Sequence, residues 1–116
     1  MIEKLQIYKD TYLLTNKLYA AFPQMERSQR HILGSKMLDC SLDLFKWITL
    51  ANKSREKNER LKYLDEFLTN FELFRVYMRI CSDNKLLKQS TLIDFHILIN
   101  NISRQLSGWR NATTRM

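Results

Sequence analysis

The sequence predicts an all-α protein, folded as an up-down-up-down antiparallel four-helix bundle in one domain over residues 1–116. Three observations predict it. Apolar residues recur at helical spacing in four successive segments. Gly occurs twice and Pro once, too few for a sandwich or barrel, which needs a turn residue about every 8–12 positions. The second and third breaks between segments are short, and short connections make neighbouring helices antiparallel.

The first helix is expected over about residues 3–22, from Leu5, Tyr8, Tyr12, Thr15, Tyr19 and Phe22 at alternating spacings of three and four. Pro23 ends it, because its ring disfavours a helical Phe22 and it has no N–H to donate. The second is expected over about 27–52, from Leu33, Met37, Cys40, Leu44, Trp47 and Ala51. Asn52, Lys53 and Ser54 are poor helix interior, and Ser54 or Asn58 is a candidate cap for the third helix. That helix, over about 57–82, carries Leu64, Phe67, Phe71, Phe74, Met78 and Cys81. Ser82-Asp83-Asn84 breaks the pattern, and Ser90 or Thr91 is a candidate cap for the fourth, with Asp94 in its first turn. The fourth, over about 90–110, carries Leu92, Phe95, Ile99, Ile102, Leu106 and Trp109. Leu18, Leu38, Ile48, Leu61, Leu68, Ile93 and Leu98 widen the stripes, a width that suits a bundle with further burial against other subunits. Asn111 to Met116 are expected to fray.

Several classes of function are excluded or disfavoured. A chain this long buries about two-thirds of its unfolded surface, enough for a core without staples. No run approaches the ~18 apolar residues of a membrane span. Met1-Ile2-Glu3-Lys4 lacks the charged-then-apolar pattern of a secretion signal, so a cytoplasmic location is expected. Cys40 and Cys81 fall on core stripes and read as buried free thiols. His31 and His96 lie on different helices, without a carboxylate or Cys at ligand spacing. No phosphate loop, nucleophile elbow or zinc signature is present. The reading is a non-enzymatic protein with no catalytic residues, metal or cofactor. The aromatics Tyr8, Tyr12, Tyr19, Phe67, Phe71, Phe74 and Trp109 read as core, because nucleobase platforms usually sit on exposed sheets or loops.

Charge is the one functional signal. Lys and Arg number 19 against 12 acids, a net +7, which suggests an anionic partner such as nucleic acid. The excess is clustered. Residues 27–36 carry Arg27, Arg30 and Lys36 with no acid, and residues 53–62 carry Lys53, Arg55, Lys57, Arg60 and Lys62 against Glu56 and Glu59. Residues 63–72 hold only Asp65, Glu66 and Glu72. Residues 75–88 carry Arg75, Arg79, Lys85 and Lys88 against Asp83, and residues 104–116 carry Arg104, Arg110 and Arg115 with no acid. An up-down bundle brings Arg27 and Arg30 to the end shared with Arg79, Lys85 and Lys88. It brings the 53–62 turn to the opposite end, with Lys4, Arg110 and Arg115. The candidate phosphate contacts are therefore Arg27, Arg30, Lys53, Arg55, Lys57, Arg60, Lys85 and Lys88, near helix ends where long side chains reach outward. Arg75, Arg79 and Arg104 flank core stripes and are less secure. The competing reading of these charges is a solvated surface with local pairs such as Glu56–Arg60.

The order of elements resembles the accessory variability determinant (Avd) proteins of diversity-generating retroelements. These belong to a wider four-helix-bundle group that includes proteins encoded by intervening sequences of bacterial 23S ribosomal RNA genes. Phe22-Pro23, a basic polar run and Arg30-His31-Ile32-Leu33-Gly34 carry the first part of the resemblance, and Leu73-Phe74-Arg75 with Leu86-Leu87 the second. Ile102-Ser103-Arg104-Gln105-Leu106-Ser107-Gly108-Trp109 carries the third, resembling an Ile-Gly-Arg-x-Leu-Gly-Gly-Trp ending in which Ser103 and Ser107 here replace Gly. The segment from Phe22 to Gly34 runs a few residues longer than usual. The resemblance implies a partner of the retroelement reverse transcriptase that binds template RNA, and possibly DNA, in support of mutagenic retrohoming. It also implies a homopentamer, for which Gly34, Ser107, Gly108 and Trp109 are the candidate interface residues. Two other classes compete: a basic protein–protein adaptor without a nucleic-acid role, and a small-molecule or metal-binding bundle.

Overall fold

The computed structural model describes residues 5–116; Lys4, and the expected helix start at residue 3, lie outside them. Four long helices make up the described residues, and no strand occurs among them. Helix α1 is Gln6–Ala21. A single 3-10 turn, Phe22–Gln24, accommodates Pro23. Residues 27–53 form one rod, α2, that opens as Arg27–Gln29, passes through a π turn at Arg30–Gly34 and continues as Ser35–Lys53. Helix α3 is Lys57–Asp83 and α4 is Gln89–Thr114. Contacts between α1 and α4 join Asp10 to Gln105 and Lys17 to Asp94. Residue numbers thus rise on one helix as they fall on the other.

The core repeats the predicted stripes on three helices. Leu64, Phe67, Phe71, Phe74, Met78 and Cys81 are all buried on α3. On α2 the predicted residues are buried except Trp47, which packs half-buried at the edge. On α4 the same holds for Phe95, Ile99, Ile102 and Leu106, with Leu92 and Trp109 half-buried. Polar bonds pin α2 to α3: Trp47 Nε1 donates to Asn70 Oδ1 at 2.8 Å, and Cys40 Sγ donates to the Asn70 carbonyl at 2.9 Å.

The first helix departs from expectation. Its buried face is Ile7, Thr11, Leu14, Thr15, Leu18 and Ala21, while Tyr12 is 57% and Tyr19 53% exposed. The face is turned by one residue, about 100°. Burying the tyrosines would strand hydroxyls that need a partner. The threonines meet that need locally, donating to the Ile7 and Thr11 carbonyls at 2.7 and 3.0 Å. Leu68 and Ile93, expected to flank the core, are also exposed. The C-terminus does not fray as expected: α4 runs to Thr114, and Thr113 is buried with its hydroxyl on the Trp109 carbonyl.

The caps differ from those expected. Ser54 is buried and bonds back to the Leu50 carbonyl, closing α2 instead of opening α3. Glu56 caps α3, accepting the N–H groups of Asn58 and Glu59 at 3.0 and 2.7 Å. Neither Ser90 nor Thr91 caps α4; Gln24 does, its Oε1 accepting the Lys88 N–H at 2.9 Å while its Nε2 donates to Thr91 Oγ1 at 2.9 Å. Among the described residues no helix is long and apolar enough to cross a membrane.

Two of these environments can be probed by titration and labelling. The Asn58 and Glu59 amides hold the Glu56 carboxyl below its ordinary value of 4.5. A lowered folded pKa adds stability that is present above the unfolded value and lost as pH falls through the folded one. Glu56→Gln is expected to flatten this acid-side loss in urea titrations run from neutral pH to below 4.5. Burial pushes the Cys81 thiol up to about 11 and also raises Cys40. Because the thiolate is the reactive form, iodoacetamide at about pH 8 is expected to label neither thiol in the folded chain and both after denaturation, read by mass spectrometry.

Candidate nucleic-acid interface

The bundle gathers the predicted cations at its two ends. At one end Gln24 ties the turn before α2 to the start of α4, so Arg27 and Arg30 share it with Lys85 and Lys88. All four are exposed. Arg30 Nη2 donates to the Met25 carbonyl at 3.2 Å, which holds its stem across the turn. At the other end Lys53, Arg55 and Lys57 cluster in the α2–α3 connection beside the C-terminus, with Lys53 and Arg55 exposed. Among the described residues, ion pairs join Lys17 to Asp94, Arg75 to Glu72 and Arg110 to Asp65. None of the eight candidate cations is in them.

Arg60 behaves differently from the other seven. Its Nε donates to the Ala51 and Ser54 carbonyls at 3.2 and 3.0 Å, its Nη2 to Ser54 at 2.6 Å, and its Nη1 lies 3.5 Å from Met116 Sδ. A guanidinium that bonds carbonyls at a helix C-terminus satisfies orphan acceptors and meets the negative end of the dipole. The Glu56–Arg60 pair of the competing reading does not form, because each side chain is committed to backbone. Arg110, expected to add to this end, pairs with Asp65 at 2.9 Å, and that bond raises its pKa.

Lys85 stands out by its backbone. Its φ is +55°, the only positive value at a non-Gly residue among those described. It occupies the left-handed position after α3: the Leu86 N–H reaches the Cys81 carbonyl at 2.9 Å and the Lys85 N–H reaches Ser82 at 3.2 Å. This hydrogen-bond pair is the Schellman closure, where glycine is the usual residue. A lysine there keeps a charge at the end of the bundle at a conformational cost of roughly 1 kcal/mol.

The candidate subunit-contact residues divide in two. Gly34 is buried, and a Cβ on it would lie 3.2 Å from the Phe22 ring of the same chain, so its small size already serves an intrachain crossing. Gly108 has no neighbour among the described residues within 4 Å of that position, Ser107 is exposed beside it, and Trp109 is half-buried at the edge of the core. His31 and His96 are both exposed, on separate helices. Gln24 and Glu56 had no prior signal: Gln is not a preferred cap, and Gln24 acts across 64 residues.

The architecture defines a small all-α protein with a cationic cluster at each end. The model of the bAvd-like family matches residues 5–113, and the chain belongs to that family. No curated protein matches the chain.

Lys85→Gly separates conformation from charge at one end. The variant is expected to gain about 0.5–1 kcal/mol in stability by relieving the left-handed strain, seen as a rise of a few degrees in Tm by calorimetry. The same substitution removes one of the four exposed cations at that end.

Proposed function

We propose that this protein is an accessory protein of a diversity-generating retroelement, without catalysis of its own. In this reading it is an up-down-up-down antiparallel bundle that binds the element's reverse transcriptase together with template RNA and cDNA in support of mutagenic retrohoming. Membership of the bAvd-like family over residues 5–113 is the observation that carries the reading. The two exposed cationic ends supply its physical basis. They hold no base-reading module, so phosphate contacts dominate affinity and sequence is read elsewhere.

The spacing of the ends shapes how this works. Helix α3 has 27 residues, about 40 Å at 1.5 Å per residue. At ~3.4 Å per base pair, a duplex lying along the bundle needs about 12 base pairs to touch both ends. The two clusters therefore act as independent grips. Assembly into a homo-oligomer, with five subunits proposed, multiplies them into a broad field. Ser107, Gly108 and Trp109 are the proposed contacts, since beside Gly108 there is open space that none of the described residues fills.

Charge reversal tests the assignment. One variant carries Lys53→Glu, Arg55→Glu and Lys57→Glu, and a second carries Arg27→Glu and Arg30→Glu. Each is expected to keep its helicity and oligomer size while its RNA affinity falls. The slope of log K against log salt is expected to drop by about 0.7–0.9 for each phosphate no longer neutralised. Because the ends are far apart, the two effects are expected to add in free energy. Unchanged affinity and slope in both variants would refute the nucleic-acid role. If reverse transcriptase then failed to pull down with these same variants, the ends would instead be those of a basic protein–protein adaptor.

A further inference from the structure

A groove of about 500 Å³ runs between α3 and α4 and reaches down to the buried residues Met78 and Ile99. Its floor is aliphatic, built from Met78 of α3 with Leu92, Ile93 and Ile97 of α4. On α4 the lining extends from Gln89 to Asn100, three turns of one face and about 16 Å of helix. Helix α4 thus carries two apolar stripes. One faces the core through Phe95, Leu98, Ile99, Ile102 and Leu106, all buried. The other leaves Ile93 51% and Ile97 57% exposed, although a helix at the surface of a bundle needs only one such stripe.

The lips of the groove are polar and of one sign. Arg75 and Arg79 line it from α3 and His96 from α4, and no carboxylate lines it. Glu72 lies one turn away and pairs with Arg75 at 3.5 Å, and Asp94 is held by Lys17 on α1. An occupant that buries the isoleucines therefore meets the guanidinium of Arg79, which is in no ion pair among the described residues, and that of Arg75, which shares Glu72.

We infer that this groove docks an acidic amphipathic helix of a partner protein. A helix laid in an apolar groove presents anchors at i, i+3, i+4 and i+7, the same spacing that Leu92, Ile93, His96 and Ile97 offer from Gln89 onward. Carboxylates flanking that stripe fall opposite Arg75 and Arg79. An aliphatic floor offers no stacking platform, which separates it from a single-stranded nucleic-acid site. A second copy of this chain carries a net +7. Its acids Asp39 and Asp43 lie exposed on α2 outside the ion pairs of the described residues, so the measurement of oligomer size below separates a second copy from a partner protein.

The test uses the intact chain and three fluorescein-labelled synthetic peptides, followed by anisotropy. One is a helical peptide with a Leu stripe flanked by Glu, one has the same stripe flanked by Lys, and one is a scramble of the first that keeps its charge but has no stripe. The acidic helix is expected to bind at least about tenfold more tightly than either of the others. Ile97→Asp, at an exposed position, and Arg79→Glu are each expected to weaken it by about tenfold or more. Ile97→Ala, which cannot disturb the fold by charge, is expected to weaken it to a smaller degree. The Lys53→Glu, Arg55→Glu and Lys57→Glu variant is expected to bind the peptide normally, so failure of the nucleic-acid role leaves this result standing. Equal binding of the scrambled or Lys-flanked peptide would overturn the inference, as would full affinity in the groove variants. A change of oligomer size in Ile97→Asp by light scattering would also overturn it, by assigning the groove to a second copy.

Discussion

Burial of Phe67, Phe71 and Phe74 along one side of α3 is the interaction on which the rest of the molecule depends. The three rings are at most 1% exposed, and the first two stack with centroids 5.8 Å apart. Removing one such ring costs about 3–5 kcal/mol, against a total stability of about 5–15 kcal/mol for a typical domain. The spine locks the 27-residue α3 between its neighbours, with Asn70 bonded to α2 and Asp65 to α4. A rigid α3 holds the two cationic ends at a fixed separation, and it forms one wall of the groove lined by Met78 and Arg79. The positions of both surfaces are thus consequences of apolar packing in which none of their charged residues takes part.

That packing explains which parts were legible in the sequence. On α2, α3 and α4 the buried positions of the predicted stripes hold apolar residues with no polar atom to satisfy, or a buried thiol, so period and burial coincide there. On α1 they do not. Tyr12 and Tyr19 look more hydrophobic than Thr11 and Ala21, yet the small residues are inside. What decides is whether a polar atom finds a partner: a threonine hydroxyl reaches the preceding turn's carbonyl, and a tyrosine hydroxyl projects too far to do so. Caps were legible only as residue types. Ser54, Ser90 and Thr91 are good cap formers, but Glu56 and Gln24 take the orphan amides, and the reach of Gln24 is set by tertiary structure alone.

The candidate site was legible as a set of charges and less so as a set of roles. Exposure of Arg27, Arg30, Lys85 and Lys88 follows from their places at helix ends, and their convergence follows from the order of the helices. The use of Arg60 as a clamp on the α2 carbonyls does not, because it depends on the path of three residues in a connection. The left-handed backbone at Lys85 is equally silent, since the closure it completes is normally recognised by its glycine. The second apolar stripe of α4 was visible as Ile93, but there it read as core; only the position of α3 shows that it opens outward.

The π turn at Arg30–Gly34 has a consequence for how the chain tolerates changes in length. The Ser35 N–H bonds five residues back to Arg30, so this turn stores one residue more than an ordinary α turn. Without it, each residue added or removed before Met37 would rotate everything downstream by about 100° and carry the α2 stripe out of the core. With it, the basic entry segment and the buried stripe keep separate angular phases. The turn works as a joint in the reading frame of the helix. Its place is beneath the Phe22 ring, with Arg27 just before it and Arg30 as its first residue. The one extra residue that would scramble a continuous helix is taken up at this joint, so the exposed arginines above it and the core below it are set independently.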